Sequence, residues 1–228
     1  MTELSYRPEL PPVPNRLRRL PIQKGYPVPW FVSKINGVYD FRVADQEKMI
    51  YAITGKLCWT CGDKLGTHVV FTIGPMCSIN RISAEPPSHL ECAEFGVRAC
   101  PFLNQTQKKR RETDMPEESV APPGVFITRQ PGVILTWVTK EYQVFQENRG
   151  FIFSVGKPYS IKWWREGRRA TKAEVLEAFE LGYPDLLENA KSEGYEATKL
   201  IELGYKKALE LIPEDNLRPL IFGSALKK

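Results

Sequence analysis

Cys58-Trp-Thr-Cys61 sets two thiols two residues apart, with Gly62 directly behind them to relieve the turn, and His89-Leu-Glu-Cys92 sets an imidazole and a thiol three residues apart. Thiolate and imidazole donors at these spacings converge on one tetrahedral metal ion. Three Cys with one His is the composition of a closed structural zinc site, whereas a catalytic zinc keeps one position for water. A separation of three also puts His89 and Cys92 on one face of a helix's first turn. The reading is therefore one structural Zn2+ held by Cys58, Cys61, His89 and Cys92. Two thiols compete for it. Cys100 lies beside Pro101, well beyond Cys92, and reads as a core thiol, while Cys77 could reach the ion if His89 turned away.

Other cysteine chemistries fit less well. A redox Cys-x-x-Cys belongs at the start of a helix in a βαβ unit, but here a glycine and a charged turn follow. A nucleobase deaminase needs His-x-Glu and Pro-Cys-x-x-Cys, and this chain has His-x-x-Cys. Five cysteines, an odd number, beside one of only two histidines suit a metal in a reducing compartment better than disulfides.

Local signals indicate the elements that must hold these ligands. Trp30 to Ile35 and Val38 to Val43 flank Asn36-Gly37 and read as a β-hairpin. Asp45 caps a helix over about 46 to 54, with Gly55 at its left-handed end, and this helix delivers the chain to Cys58. GTHVVFTIGPMCSINRI reads as strand, Gly-Pro turn, strand, and Pro86-Pro87-Ser88 opens a helix capped by Ser88 and stopped at Pro101. Knuckle, hairpin, then a helix supplying two ligands resembles the treble-clef zinc-finger superfamily over residues 56–101. That resemblance implies a fold element only, because treble clefs serve ribosomal proteins, transcription factors, ubiquitin-pathway proteins and nucleases. The strings CWTCG, IGPMCSINR, EPPSHLECAEFGVRACPFL and WWREGRRATKAEVLEAFELG also resemble bacterial and bacteriophage proteins of no established activity, which implies a phage or mobile-element origin and the cytosol of a bacterial host.

The whole chain reads as α+β. Residues 1–29 hold seven prolines and form an extended segment without helix. Residues 30–103 carry the hairpin and the finger. Residues 104–123 are polar, charge-blocked and proline-bearing, a flexible linker. Residues 124–228 begin with short Val, Ile, Phe, Tyr and Trp runs that form an antiparallel sheet. Three helices follow: one from the capping box Thr171-Lys-Ala-Glu174 to Gly182, one from Pro184, and one over 195–211.

No run approaches the ~20 apolar residues of a membrane helix, and the N-terminus lacks the apolar core of a secretion signal, so a cytoplasmic protein is expected. With 32 Lys and Arg against 27 Asp and Glu the chain carries +5, which permits a polyanionic partner without demanding one. The expected role is a non-catalytic zinc protein that binds nucleic acid. Arg16, Arg18, Arg19, Lys108, Lys109, Arg110, Arg111, Arg165, Arg168 and Arg169 would meet phosphates, and Trp164 or its neighbour Trp163 would stack on a base. If both tryptophans lie on one strand they face opposite sides, so at least one is core. The alternative is a protein-interaction module or phage inhibitor that binds a host protein. A third reading is an HNH-type nuclease with His68 as base and Asn80 positioning it, but its remaining site falls on His89, already assigned to zinc.

Overall fold

Backbone conformation at a few residues sets the chain's path. The computed structural model describes residues 5–105, 115, 132–147 and 150–214. Pro14 opens a single helical turn, α1 (Asn15–Arg18), followed by the two-residue strands β1 (Ile22–Gln23) and β2 (Tyr26–Pro27). The expectation of no helix before residue 30 is thus corrected: the six residues between Pro14 and Pro21 are enough for one turn, and they bury Leu17. Strands β3 (Val32–Ile35) and β4 (Val38–Ala44) pair around Asn36 and Gly37, both at positive φ as a type I′ turn requires. Asp45 then accepts hydrogen bonds from the amides of Glu47 and Lys48 and caps α2 (Gln46–Gly55). The left-handed residue after α2 is Lys56 (φ 50°), one position beyond the expected Gly55.

The next stretch departs from its sequence reading. Strand β5 (Val69–Ile73) is followed by a helix, α3 (Pro75–Asn80), and only then by the short strand β6 (Ile82–Ser83). Pro75 serves as the first helical residue, where its missing N–H costs nothing, rather than as the corner of a hairpin. The strand-turn-strand unit expected between the two ligand pairs is therefore absent. The residue that precedes helix α4 (Leu90–Ala99) at its N-cap position is His89, not Ser88, and its side chain accepts no capping hydrogen bond.

Strands β7 (Ile134–Thr139), β8 (Tyr142–Glu147), β9 (Gly150–Val155), β10 (Ser160–Arg165) and β11 (Arg168–Arg169) follow. They do not form one meander. Four strands make a sheet in the order β11-β10-β7-β5, and a second sheet runs β6-β9-β8, all antiparallel. Strand β5 lies on the N-terminal side of the expected linker and β7 beyond it, so the larger sheet joins the two portions. The linker itself, 104–123, falls almost wholly outside the described residues.

The capping box forms as read: Thr171 Oγ1 accepts from the Glu174 amide and the Glu174 carboxylate from the Thr171 amide. The helix it opens, α5 (Lys172–Glu193), continues through Pro184, so α5 and α6 (Tyr195–Leu209) replace the three expected helices. Gly182 is not a helix end but a close approach, since a Cβ there would sit 3.0 Å from the Met76 side chain.

Both faces of the larger sheet are covered, as the alternation along β7 makes plain. Leu135 and Trp137 face the main core, with Phe71, Ile73, Trp163, Val175 and Phe179, while Ile134 and Val138 face α4 through Val97 and Ala93. Every side chain of β7 is buried. No helix among the described residues is long and apolar enough to cross a membrane.

A Cβ on Gly204 would meet the Ile79 carbonyl oxygen at 2.4 Å, so Gly204→Ala must push α6 away from α3. Chemical denaturation should show it destabilised by about 2 kcal/mol, against little change for Leu200→Ala on the exposed side. The hydrogen bond from Arg168 holds the Glu174 carboxyl at about 2, well below its ordinary 4.5. A depressed acid stabilises the fold above its unfolded value and loses that contribution as pH falls through its folded one. Between pH 4.5 and 2 the wild type should therefore lose stability more steeply than Glu174→Gln in denaturation curves taken across that range.

Candidate metal centre

The first ligand pair sits in a turn closed by its own backbone. Leu57 bridges Lys64, the Cys58 amide donates to the Asp63 carbonyl at 2.7 Å, and the Gly62 amide donates to the Cys58 carbonyl at 2.8 Å. Gly62 has φ 77°, and a Cβ on it would lie 2.8 Å from the Trp30 ring, so both conformation and space call for glycine. Neighbouring segments bolt this turn in place: Trp30 donates its amide to the Thr60 carbonyl at 2.7 Å, Trp59 to that of Pro87 at 3.0 Å, and Phe31 stacks on Trp59.

The second pair arrives through Ser88. Its amide and carbonyl exchange hydrogen bonds with Val70 of β5 at 2.8 and 2.9 Å, and its hydroxyl meets Thr60 Oγ1 at 2.8 Å. That bridge places His89 beside the turn and aims the start of α4 so that Cys92 points into the same space. One ligand atom from each of Cys58, Cys61, His89 and Cys92 lies within 4.8 Å of all the others, and the three cysteines are buried. Tetrahedral bonds of ~2.3 Å to sulfur separate neighbouring ligand atoms by about 3.8 Å, so the cluster has the size of a four-coordinate metal site. Cys77, in α3, and Cys100, after α4, stand outside it, and burial pushes both of their thiols up.

Hydrogen bonding prepares the donors. Cys58 Sγ accepts backbone N–H groups from His89 at 3.3 Å and Cys61 at 3.5 Å. His89 Nδ1 lies 3.4 Å from Cys61 Sγ, while Nε2 lies 3.1 Å from the Lys64 carbonyl oxygen. A carbonyl accepts only, so Nε2 carries the proton and Nδ1 turns its lone pair toward the thiols, the outer-shell arrangement that fixes a metal-binding histidine. Among the thiols, hydrogen bonds from Cys61 and Cys92 drive Cys58 far down, while the same bonds push Cys61 up to about 11 and Cys92 far higher. The three sulfurs thus crowd one another, and a divalent cation among them would take thiolates as its ligands and relieve that crowding.

A strap from the N-terminal segment closes the site. Leu17, with α1, packs in one cluster with Cys58, Cys61, Cys92, Phe95 and Ala99. Arg16 pairs with Glu91 at 2.7 Å and Asp63 at 3.2 Å, and Arg19 pairs with Asp63 and donates to the Cys61 carbonyl at 2.9 Å. Sequence reasoning missed Leu17. Its signal was slight, a single leucine flanked by arginines in NRLRRL.

Among the described residues, those expected to meet nucleic acid are not brought together as a free basic surface. Arg16 and Arg19 belong to the strap, and Arg18 Nε donates to the Val13 carbonyl at 3.1 Å. Arg165 pairs with Glu177 at 3.0 Å, Arg168 pairs with Glu174, and Arg169 lies over the Trp164 ring at 5.2 Å. Trp164 is only 9% exposed and donates Nε1–H to Thr136 Oγ1, so it packs under α4 rather than offering a stacking face, and Trp163 is buried on the opposite side. Lys108, Lys109, Arg110 and Arg111 lie outside the described residues. The nuclease pair does not form either: Asn80 Oδ1 accepts from the Ile82 amide and the His68 ring meets Tyr159.

No protein-family model, no curated protein and no solved structure matches this chain. The treble-clef and bacteriophage resemblances therefore gain no relative from these comparisons.

Truncating Leu17 tests the strap. Leu17→Ala should lower stability by about 2 kcal/mol or more and expose the cluster, so that thiol-reactive reagents label Cys61 faster than in the wild type. Equal labelling rates would show that the strap does not shield the sulfurs.

Proposed function

We propose that the chain is a non-catalytic zinc protein that binds nucleic acid, in which one structural zinc ion held by Cys58, Cys61, His89 and Cys92 fastens the turn, the start of α4 and the N-terminal strap into one rigid unit. The observation that carries the metal reading is the orientation of His89, with Nε2–H on the Lys64 carbonyl and Nδ1 toward three buried thiols. Soft sulfur donors with one imidazole favour zinc among the divalent metals, and four protein ligands leave no position for a reacting water. Nucleic acid as partner is supported by the net charge of +5, and the motif strings favour a phage or mobile-element setting. A second reading, a protein partner, is favoured by Tyr195, Leu200 and Leu203, which α6 leaves 76%, 67% and 48% exposed.

Elemental analysis of untagged protein purified without chelator should find close to one zinc per chain in the wild type and much less in His89→Ala and Cys92→Ser. No metal in the wild type would overturn the reading. Stripping the zinc should lower the melting temperature and release residues 14–20 to protease, while far-ultraviolet circular dichroism retains the helices, because α5 and α6 pack in a core that includes no ligand.

A further inference from the structure

With Arg16, Arg19, Arg165 and Arg168 paired to carboxylates, exposed cations without such partners stand elsewhere. One end of the larger sheet gathers the residue before β5, the residue after β7 and the loop before β10: His68, Lys140, Lys157 and Tyr159. Tyr159 is 67% exposed, the His68 ring meets it edge-on at 4.6 Å between centroids, and Lys140 Nζ lies 5.2 Å from its centroid. All four side chains are exposed, and no carboxylate pairs with His68, Lys140 or Lys157 among the described residues.

The loop that carries Lys157 and Tyr159 is rigidly held. Trp137 Nε1 donates to the Gly156 carbonyl at 3.0 Å, and the Tyr159 amide to that of Val138 at 2.7 Å. The hydroxyl of fully buried Thr139 lies within hydrogen-bonding distance of the Lys157 carbonyl at 2.9 Å and the Glu141 carbonyl at 3.0 Å. Gly156 is pressed so closely on the other turn that a Cβ would fall 2.2 Å from the Glu141 carbonyl oxygen. An exposed aromatic on a preorganised loop loses little entropy when a ligand lands on it.

We propose that His68, Lys140, Lys157 and Tyr159 form a contact surface for single-stranded nucleic acid. Tyr159 stacks on a base, His68 braces its ring edge-on, and the two lysines meet flanking phosphates. The proposal rests on the nucleic-acid reading above and replaces the arginine-and-Trp164 surface expected from the sequence. Unpaired positive charge selects a polyanion, and the exposed ring at its centre selects bases over an acidic peptide, which has no π-face to stack.

The test is fluorescence anisotropy with labelled oligothymidine and oligouridine across a salt series, using wild type, Tyr159→Ala, Tyr159→Phe, Lys140→Gln/Lys157→Gln and Arg18→Gln. Support requires wild-type binding that weakens with salt, a loss of roughly fivefold or more in Tyr159→Ala with rescue in Tyr159→Phe, and a slope of log K against log salt smaller by about 1.4 in the double lysine variant. Arg18→Gln should bind as wild type does. If the wild type binds and the Tyr159 and lysine variants bind equally well, the surface is wrong while the nucleic-acid reading stands. If the wild type binds neither oligonucleotide, that reading fails and this surface with it. Displacement of the oligonucleotide by equal concentrations of polyglutamate would show a charge-only site for an acidic protein and would also overturn the proposal.

Discussion

Two hydrogen bonds between Val70 and Ser88 decide where the rest of this molecule can go. Val70 belongs to a strand locked into the larger sheet, and Ser88 is the last residue before His89. The exchange sets the starting point of α4 relative to the sheet, and that start brings His89 and Cys92 to Cys58 and Cys61. The same placement lays Ala93 and Val97 over Val138 and Ile134, so a single backbone bridge serves both the ligand cluster and the cover on one sheet face. A buried backbone pair of this kind resists shear because opening it would leave polar groups without partners.

Several charges in the described part of the chain serve internal fastening. Asp63 and Glu91 receive the arginines of the strap, Glu174 and Glu177 receive those around β11, and Glu94 receives Lys162. Several of these pairs are solvent-exposed, where an individual ion pair contributes little. Their value here is geometric: Asp63 lies in the ligand turn itself, so Arg16 and Arg19 hold Leu17 over the sulfurs. A surplus of positive charge in the composition therefore says little about where a polyanion would land, and the accounting must be made residue by residue.

The parts of the structure legible in the sequence are those governed by local chemistry. The Cys and His spacings, the Asn36-Gly37 turn, the Asp45 cap and the Thr171–Glu174 box each depend on a few adjacent residues, and each forms. Proline misled three times, since a helical turn forms among the N-terminal prolines, Pro75 opens a helix and Pro184 lies within one. Pro75 takes a first helical position that suits proline, whereas at Pro184 packing among α3, α5 and α6, through Met76, Ile79, Gly182 and Gly204, outweighs the local preference for a break. Trp163 and Trp164 do face opposite ways as strand geometry demands, but both are buried because the sheet is covered on both sides, a fact that no local window contains. Leu17 over the ligands and the loop at Tyr159 are likewise products of long-range contacts.

The pairing of β5 with β7 also bears on the order in which the chain assembles. Cys61 and His89 are 28 residues apart, whereas Phe71 finds its partner Trp137 across 66. Closing the longer loop costs only about 0.8 kcal/mol more. The larger difference is in what must already exist. The ligand half needs nothing beyond residue 99, while β5 stays an unpaired edge until 134–139 are in place. During synthesis the cysteine cluster can thus gather first and hold β5 against Ser88, so that a hydrophobic strand waiting for its neighbour is already engaged along part of its length.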